Sequence, residues 1–234
     1  MSGVTPDTRG TRSENVRTVG TPGGDARVTW HPAEDPRLVL ALGHGAGGGI
    51  EARDLQALAA ALPPLGVTVA LVEQPWRVAG RKLAPAPKTL DAGWRAVWPV
   101  LAEPGPPVIA GGRSAGARVA CRTAPELGAY AVLALSFPLH PPGRPEKSRA
   151  AELLGAGVPT LVVQGGNDPF GKPAEFPDAG GGRDAGTKGG GAFALCEVPG
   201  ADHAFAVAKS AAVSQERALA IITANVAEWA AKLA

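Results

Sequence analysis

The chain has 234 residues, enough to bury the core of one α/β domain, and a formal charge of +2, too small to argue for nucleic acid or an anionic membrane as partner. Its 32 glycines and 23 prolines sit mostly between apolar runs, which reads as loops rather than low complexity. Two cysteines, Cys121 and Cys196, cannot build a disulfide framework and read as buried thiols of a reducing compartment.

Residues 1–26 are polar and aperiodic and read as a loosely ordered tail. No apolar h-region opens the chain and no apolar run reaches about 18 residues, so a soluble, cytoplasmic protein is expected, with no membrane partner. Residues 27–234 form the expected single domain. Within it, residues 27–30 suit an edge strand, and residues 38–42 (Leu-Val-Leu-Ala-Leu) are a fully apolar run of the kind buried in a parallel sheet. Leu55, Leu58, Ala59 and Leu62 share one helical face, and Pro63-Pro64 stops that helix. Further strands are expected at 67–72, 107–110, 131–137, 160–164 and 192–198, with helices at 90–101, 114–124 and 145–154. Leu219, Ile222, Val226, Trp229 and Leu233 recur at helical spacing and mark a long last helix. Strands alternating with helices predict a doubly wound, mostly parallel α/β sheet. The glycine cluster at 178–191 is expected to be a flexible surface loop.

One segment carries chemistry. The apolar run 108–110 ends in Gly112-Arg113-Ser114-Ala115-Gly116, and a small-residue helix follows. This is the sequence form of a nucleophile elbow, a sharp strand-to-helix turn that exposes a serine beside unpaired helix N–H groups. An activated serine needs a base, and the base needs an acid to hold its tautomer. In this architecture the chain order is Ser, acid, His. Of the four histidines, His203 alone follows a later acid, in the turn after the last strand. Asp168 is the first carboxylate after the strand at 160–164, with Asp202 a weaker candidate beside the base. The loop Gly43-His44-Gly45-Ala46-Gly47 follows the strand at 38–42, and its small residues let backbone approach a bound carbonyl. The oxyanion donors are therefore assigned to the N–H groups of Ala46 and Ala115. His44 is expected chiefly to hold the loop.

Those four motifs occur in the order seen in α/β-hydrolases, and the chain resembles that superfamily over residues 27–234. It looks most like the cap-less dienelactone-hydrolase-like group. The Gly-Gly-Arg-Ser elbow and the segment 138–143 resemble its bacterial branch related to the hydrolase-like domain of a non-specific-lethal chromatin-complex subunit. The resemblance implies a cap-less α/β-hydrolase fold and a serine-hydrolase site on Ser114, Asp168 and His203, acting on an ester, thioester or related acyl bond of a small molecule. That reaction needs no cofactor, and no metal is expected because the four histidines are scattered and no Cys/His spacing fits zinc. Dienelactone hydrolases proper carry a cysteine nucleophile, so their substrate is not carried over.

Two loops should flank the serine. They bring Arg77 and Arg81 on one side and His140 and Arg144 on the other. With Arg113 and His44 these are the candidate substrate contacts, and the arginines suggest a basic rim for an anionic acyl group. The segment at 138–149 is too short for a lid domain, so an open site is expected. Two other readings compete. Gly43-x-Gly45-x-x-Gly48 with Glu73 ending the next strand fits a nucleotide-binding Rossmann turn. A hydrolase-fold protein that binds without turnover also fits the residue types.

Overall fold

The computed structural model describes residues 15–177 and 193–234, so the glycine cluster at 178–191 and residues 1–14 of the expected tail lie outside the described residues. The described strands are β1 (Val16–Thr21), β2 (Gly24–His31), β3 (Leu38–Gly43), β4 (Val67–Glu73), β5 (Val108–Arg113), β6 (Ala131–Leu135), β7 (Thr160–Gly165) and β8 (Ala194–Val198). The helices are α1 (Arg53–Ala61), α2 (Pro75–Val78), α3 (Pro87–Ala102), α4 (Ala115–Leu127), α5 (Ala150–Leu154) and α6 (Gln215–Leu233). The strands form one sheet in the order β1-β2-β4-β3-β5-β6-β7-β8. From β4 to β8 every pairing is parallel, while β1 and β2 join antiparallel.

Strand alternation explains the two-sided core. In β3, Leu38, Leu40 and Leu42 pack with α1 and α6 residues such as Leu58, Ile222 and Val226. Val39 and Ala41 face the opposite way, onto Trp94 and Val97 of α3 and Ala117 and Ala120 of α4. Both faces are covered, so the strand reads as a continuous apolar run. Terminating signals act as local chemistry dictates. Pro63 and Pro64 follow α1 as a 3-10 turn, Gly128 closes α4 in the left-handed conformation, and the Ser214 hydroxyl caps α6 by accepting the Arg217 N–H at 3.1 Å.

Two expectations change. Regular structure is present before residue 27: β1 pairs with β2 residue for residue from Val16↔Thr29 to Thr21↔Gly24. The outer edge is therefore β1, and β2, expected as the edge, lies between β1 and β4. Exposed polar side chains on β1 suit an edge but hide it from a hydropathy reading, and the Arg17–Glu103 ion pair ties it to the end of α3. The short helix expected at 145–154 is split into a 3-10 turn at Pro145–Lys147 and α5. No domain is inserted between β6 and α5.

Topology also locates the crevice. From β3 the chain passes to β4 on one side, then returns to add β5 on the other side of β3. Strand order thus reverses between β3 and β5, and open α/β sheets bind ligands outside the carboxyl ends of the strands at such a point. The loops leaving those two strands are residues 43–49 and 112–116.

Candidate active site

Strand β5 ends at Arg113, and Ser114 turns the chain into α4 with φ 55° and ψ −110°. A positive φ on a non-glycine residue stores strain of order 1–3 kcal/mol and persists only where surroundings enforce it. Two glycines enforce it. A Cβ on Gly112 or on Gly116 would lie 2.5 Å from the same atom, the carbonyl oxygen of Gly43 at the end of β3. Backbone thus packs on backbone around the turn, as only glycine permits.

Ser114 Oγ lies 2.9 Å from His203 Nε2, and His203 Nδ1 lies 2.7 Å from Asp168 Oδ2. His203 is carried by the turn after β8, and Asp168 by the loop after β7. The Asp168 carboxylate is fully buried and well supplied with donors. Besides the imidazole, it accepts Gln164 Nε2 at 2.8 Å on Oδ2 and the Phe170 N–H at 2.8 Å on Oδ1. Gln164 is itself held by donating to the Gly171 carbonyl at 2.8 Å. The Phe170 ring lies against the His203 imidazole with centroids 4.2 Å apart. The acid is therefore fixed by three donors and the base by contacts on its edge and face.

The loop after β3 is organised by His44. Its Nε2 accepts the Gln74 backbone N–H at 3.1 Å, so the proton must reside on Nδ1, which donates to the Gly45 carbonyl at 2.8 Å. Burial pushes the His44 pKa down, in keeping with this neutral tautomer. Both ring nitrogens are engaged by backbone in a nearly closed environment, so His44 holds the loop and has no ring nitrogen left for substrate. Because a trans peptide points its C=O and N–H in opposite directions, the Ala46 N–H is aimed away from the His44 ring. Ala115 is the first residue of α4, where an N–H has no intrahelical acceptor. Ala46, Ala115 and Gly116 line one small cleft with Trp76, Leu90 and Trp94.

The other expected contacts are not gathered there. Arg77 Nη2 pairs with Glu51 at 2.8 Å. Arg113 turns back beneath the site, donating from Nη2 to the His203 carbonyl at 2.8 Å with Nε 3.6 Å from the Asp54 carboxylate. His140 is buried, with Nδ1 beside the Pro141 carbonyl at 2.9 Å and Nε2 3.5 Å from Glu175. Arg81 and Arg144 are exposed. None of these five side chains lines the cleft. Glu73, the ribose acid of the Rossmann reading, pairs with Arg27 at 3.4 Å. Gln164, Phe170 and Asp54 were missed in the sequence. Only Gln164 carries a local signal, as the one amide at the end of an apolar strand.

Among the described residues no group of three or more His, Cys, Asp or Glu is placed to hold a metal, and no helix is long and apolar enough to cross a membrane.

An α/β sheet with a hydrogen-bonded Ser-His-Asp chain at its switch point defines the α/β-hydrolase class. The family model described as Alpha/beta hydrolase domain matches residues 35–231, and the chain belongs to that family. Among solved structures, it is similar to a lidless a/b serine hydrolase from Xanthomonas campestris, with 21% identity, TM-score 0.64, and coverage of 92% of this chain and 94% of that one. An alpha-beta serine hydrolase homologue from Coxiella burnetii is 15% identical with TM-score 0.69 over 92% and 99% of the two chains. A dienelactone hydrolase from Anabaena variabilis is 20% identical with TM-score 0.65 over 92% and 94%. At these identities the structures establish a shared fold. No curated protein matches the sequence.

Proposed function

We propose that this protein is a serine hydrolase that cleaves an ester, thioester or related acyl bond of a small molecule through an acyl-enzyme. The observation that carries this reading is the unbroken chain from Ser114 Oγ through the two nitrogens of His203 to Asp168 Oδ2, at 2.9 and 2.7 Å. Family membership supports hydrolysis as the reaction class.

Ser114 Oγ attacks the acyl carbonyl carbon while His203 Nε2 takes its proton. Asp168 stabilises the resulting imidazolium and keeps its Nδ1–H pointed inward. The carbonyl oxygen, now an alkoxide, receives the N–H groups of Ala46 and Ala115. One such donor contributes on the order of 3 kcal/mol of transition-state stabilisation. As the tetrahedral intermediate collapses, the leaving alcohol or thiol takes the proton from His203. Water then attacks the acyl-enzyme with His203 again as base, and the carboxylic acid departs. Every proton is returned, so no cofactor is required by the cycle.

The test is labelling with a fluorophosphonate, wild type against Ser114→Ala, with the modified peptide mapped by mass spectrometry. Labelling confined to Ser114 is expected. A folded wild-type protein that takes no label would overturn the reading and favour a binding protein built on a hydrolase fold.

A further inference from the structure

The cleft beside Ala46 and Ala115 is closed by Trp76 from α2, by Leu90 and Trp94 from successive turns of α3, and by Val119 from α4. Its walls are apolar, and the space between them admits about one water molecule. From these features we infer that the cleft is the acyl subsite of the serine-hydrolase reaction proposed above. It restricts the substrate to a neutral, unbranched acyl group of two or three carbons, with Trp76 as the residue that sets the limit.

Three observations carry this. The first is position. The cleft shares Ala46, Ala115 and Gly116 with the loops that flank Ser114, so a carbonyl oxygen lying between the two N–H groups brings the acyl substituent to the cleft mouth. The second is polarity. No charged side chain lines the cleft, both His44 nitrogens are engaged by backbone, and Gln74 Nε2 donates to the Leu90 carbonyl at 3.2 Å. The buried indole N–H groups of Trp76 and Trp94 are neutral donors without a partner, so no cation faces the space. A carboxylate placed there would be desolvated without a counter-charge, a cost that neutral N–H donors offset only in part. The third is stiffness. Leu90, Trp76 and Trp94 are all buried, Trp94 packs on Trp98 with centroids 6.2 Å apart, and Trp76 lies 5.4 Å from the His44 ring. Close-packed walls do not yield cheaply to added methylenes.

Trp76 is the removable wall. It sits on a four-residue helix outside the sheet, whereas Leu90 and Trp94 belong to a helix of 16 residues packed across it. Beyond Trp76 the chain runs into an exposed segment whose Ala84 also borders the cleft, so truncation at Trp76 opens a path toward solvent.

The experiment measures kcat/KM for p-nitrophenyl acetate, propionate, butyrate, hexanoate and octanoate, and for the hemisuccinate as the anionic probe. For the wild type, the maximum is expected at acetate or propionate, with a fall of at least about tenfold by hexanoate. A tenfold or larger deficit for hemisuccinate against butyrate is also expected. Trp76→Ala should move the maximum to hexanoate or longer. Leu90→Ala, made in the longer helix, should move it in the same direction by less. The readout is the ratio between esters within one variant, so a general loss of activity or yield does not imitate it. A flat wild-type profile, a maximum at hexanoate, a preference for hemisuccinate, or an unchanged profile in both variants overturns the inference. If Ser114 takes the fluorophosphonate but no ester is turned over, the subsite assignment fails while the nucleophile stands. If Ser114 takes no label, the parent reading fails first.

Discussion

Arg113 Nη2 donates to the backbone carbonyl of His203 at 2.8 Å, so the residue before the nucleophile holds the segment that carries the base. The same guanidinium faces the fully buried Asp54 at the start of α1, with Nε 3.6 Å from Oδ2. It also borders the β3 loop, since a Cβ on Gly45 would lie 3.9 Å from Nη1 and 3.4 Å from Ser114 Cβ. One side chain therefore joins the turn that carries His203 to the start of α1 and lies beside the loop after β3. Burial pushes the Asp54 carboxyl up, and the facing arginine opposes that shift.

This arrangement separates two effects of mutation. Arg113→Met should cost on the order of 3 kcal/mol of stability, because it leaves Asp54 buried without its counter-charge. It should also lower kcat by at least about tenfold with little change in KM, since His203 loses a restraint worth about that much in alignment. Adding Asp54→Leu removes the orphaned charge and should restore most of the melting temperature without restoring kcat. Arg113→Lys keeps a charge near Asp54 but lacks the fork that reaches both partners, and should behave like the double variant. Were the double variant to regain full kcat, Arg113 would be a purely structural ion-pair partner.

His44 links site geometry to pH. Its folded-state pKa is depressed, so the folded protein resists binding a proton that the unfolded chain accepts near pH 6.5. The stabilisation is complete above that value and is lost as pH falls through it toward the lower folded pKa. His31, also shifted down by burial, acts in the same direction. Urea unfolding between pH 8 and 5 should show stability falling with acid, and His44→Gln should make that slope shallower while leaving the His31 share. Equal slopes in wild type and variant would remove His44 as the source. Protonation of the folded protein would also put an N–H against the Gln74 N–H, so activity should fall at lower pH than stability begins to, as pH drops through the depressed folded-state pKa and the loop after β3 loses its anchor.

Gly116 tests the elbow's packing. The nearest atoms to its added Cβ, at 2.5 and 2.6 Å, are the carbonyl oxygen and carbon of Gly43, and backbone in a central strand has no rotamer with which to move aside. Gly116→Ala should therefore destabilise by about 2 kcal/mol or more. Gly20→Ala is the control, because nothing lies within 4 Å of its Cβ position. Its midpoint in urea should be near that of wild type. Similar midpoints for the two variants would mean the elbow relaxes freely.

The parts of the molecule legible in the sequence were those coded locally. The runs 38–42 and 67–72 are apolar because both sheet faces are covered, and they mark β3 and β4 to within a residue. The Ser114, Asp168 and His203 positions follow from chain order, since each lies just past a strand. Relationships across long separations were not legible. Arg113 reads as a candidate rim residue until its partners are seen, and those lie 59 positions upstream (Asp54) and 90 downstream (His203). Strand β1 escapes because an edge strand with solvated side chains has no hydrophobic pattern to betray it. Helix α2 is too short for periodicity, although its Trp76 shapes the cleft.

Asp168 offers the sharpest test of the proton path. Its Oδ2 accepts two N–H donors, from His203 and Gln164, and its Oδ1 accepts a third from Phe170. Asn cannot satisfy that pattern, because one of its two terminal atoms is itself a donor. With the amide oxygen toward His203, the NH2 group meets the Phe170 N–H. With the amide reversed, the NH2 meets Gln164 and forces His203 to accept at Nδ1, which puts the imidazole proton on Nε2, facing Ser114 Oγ. In that tautomer His203 cannot take the serine proton. Asp168→Asn should therefore lower kcat by about 10⁴-fold and slow fluorophosphonate labelling of Ser114 in parallel, with the protein still folded. Asp202→Asn, at the alternative carboxylate, should leave the labelling rate within about twofold of wild type, because that side chain only accepts the Ala204 and Ala206 N–H groups within its own turn. If the two variants exchanged places in this comparison, Asp202 would be the acid that serves His203.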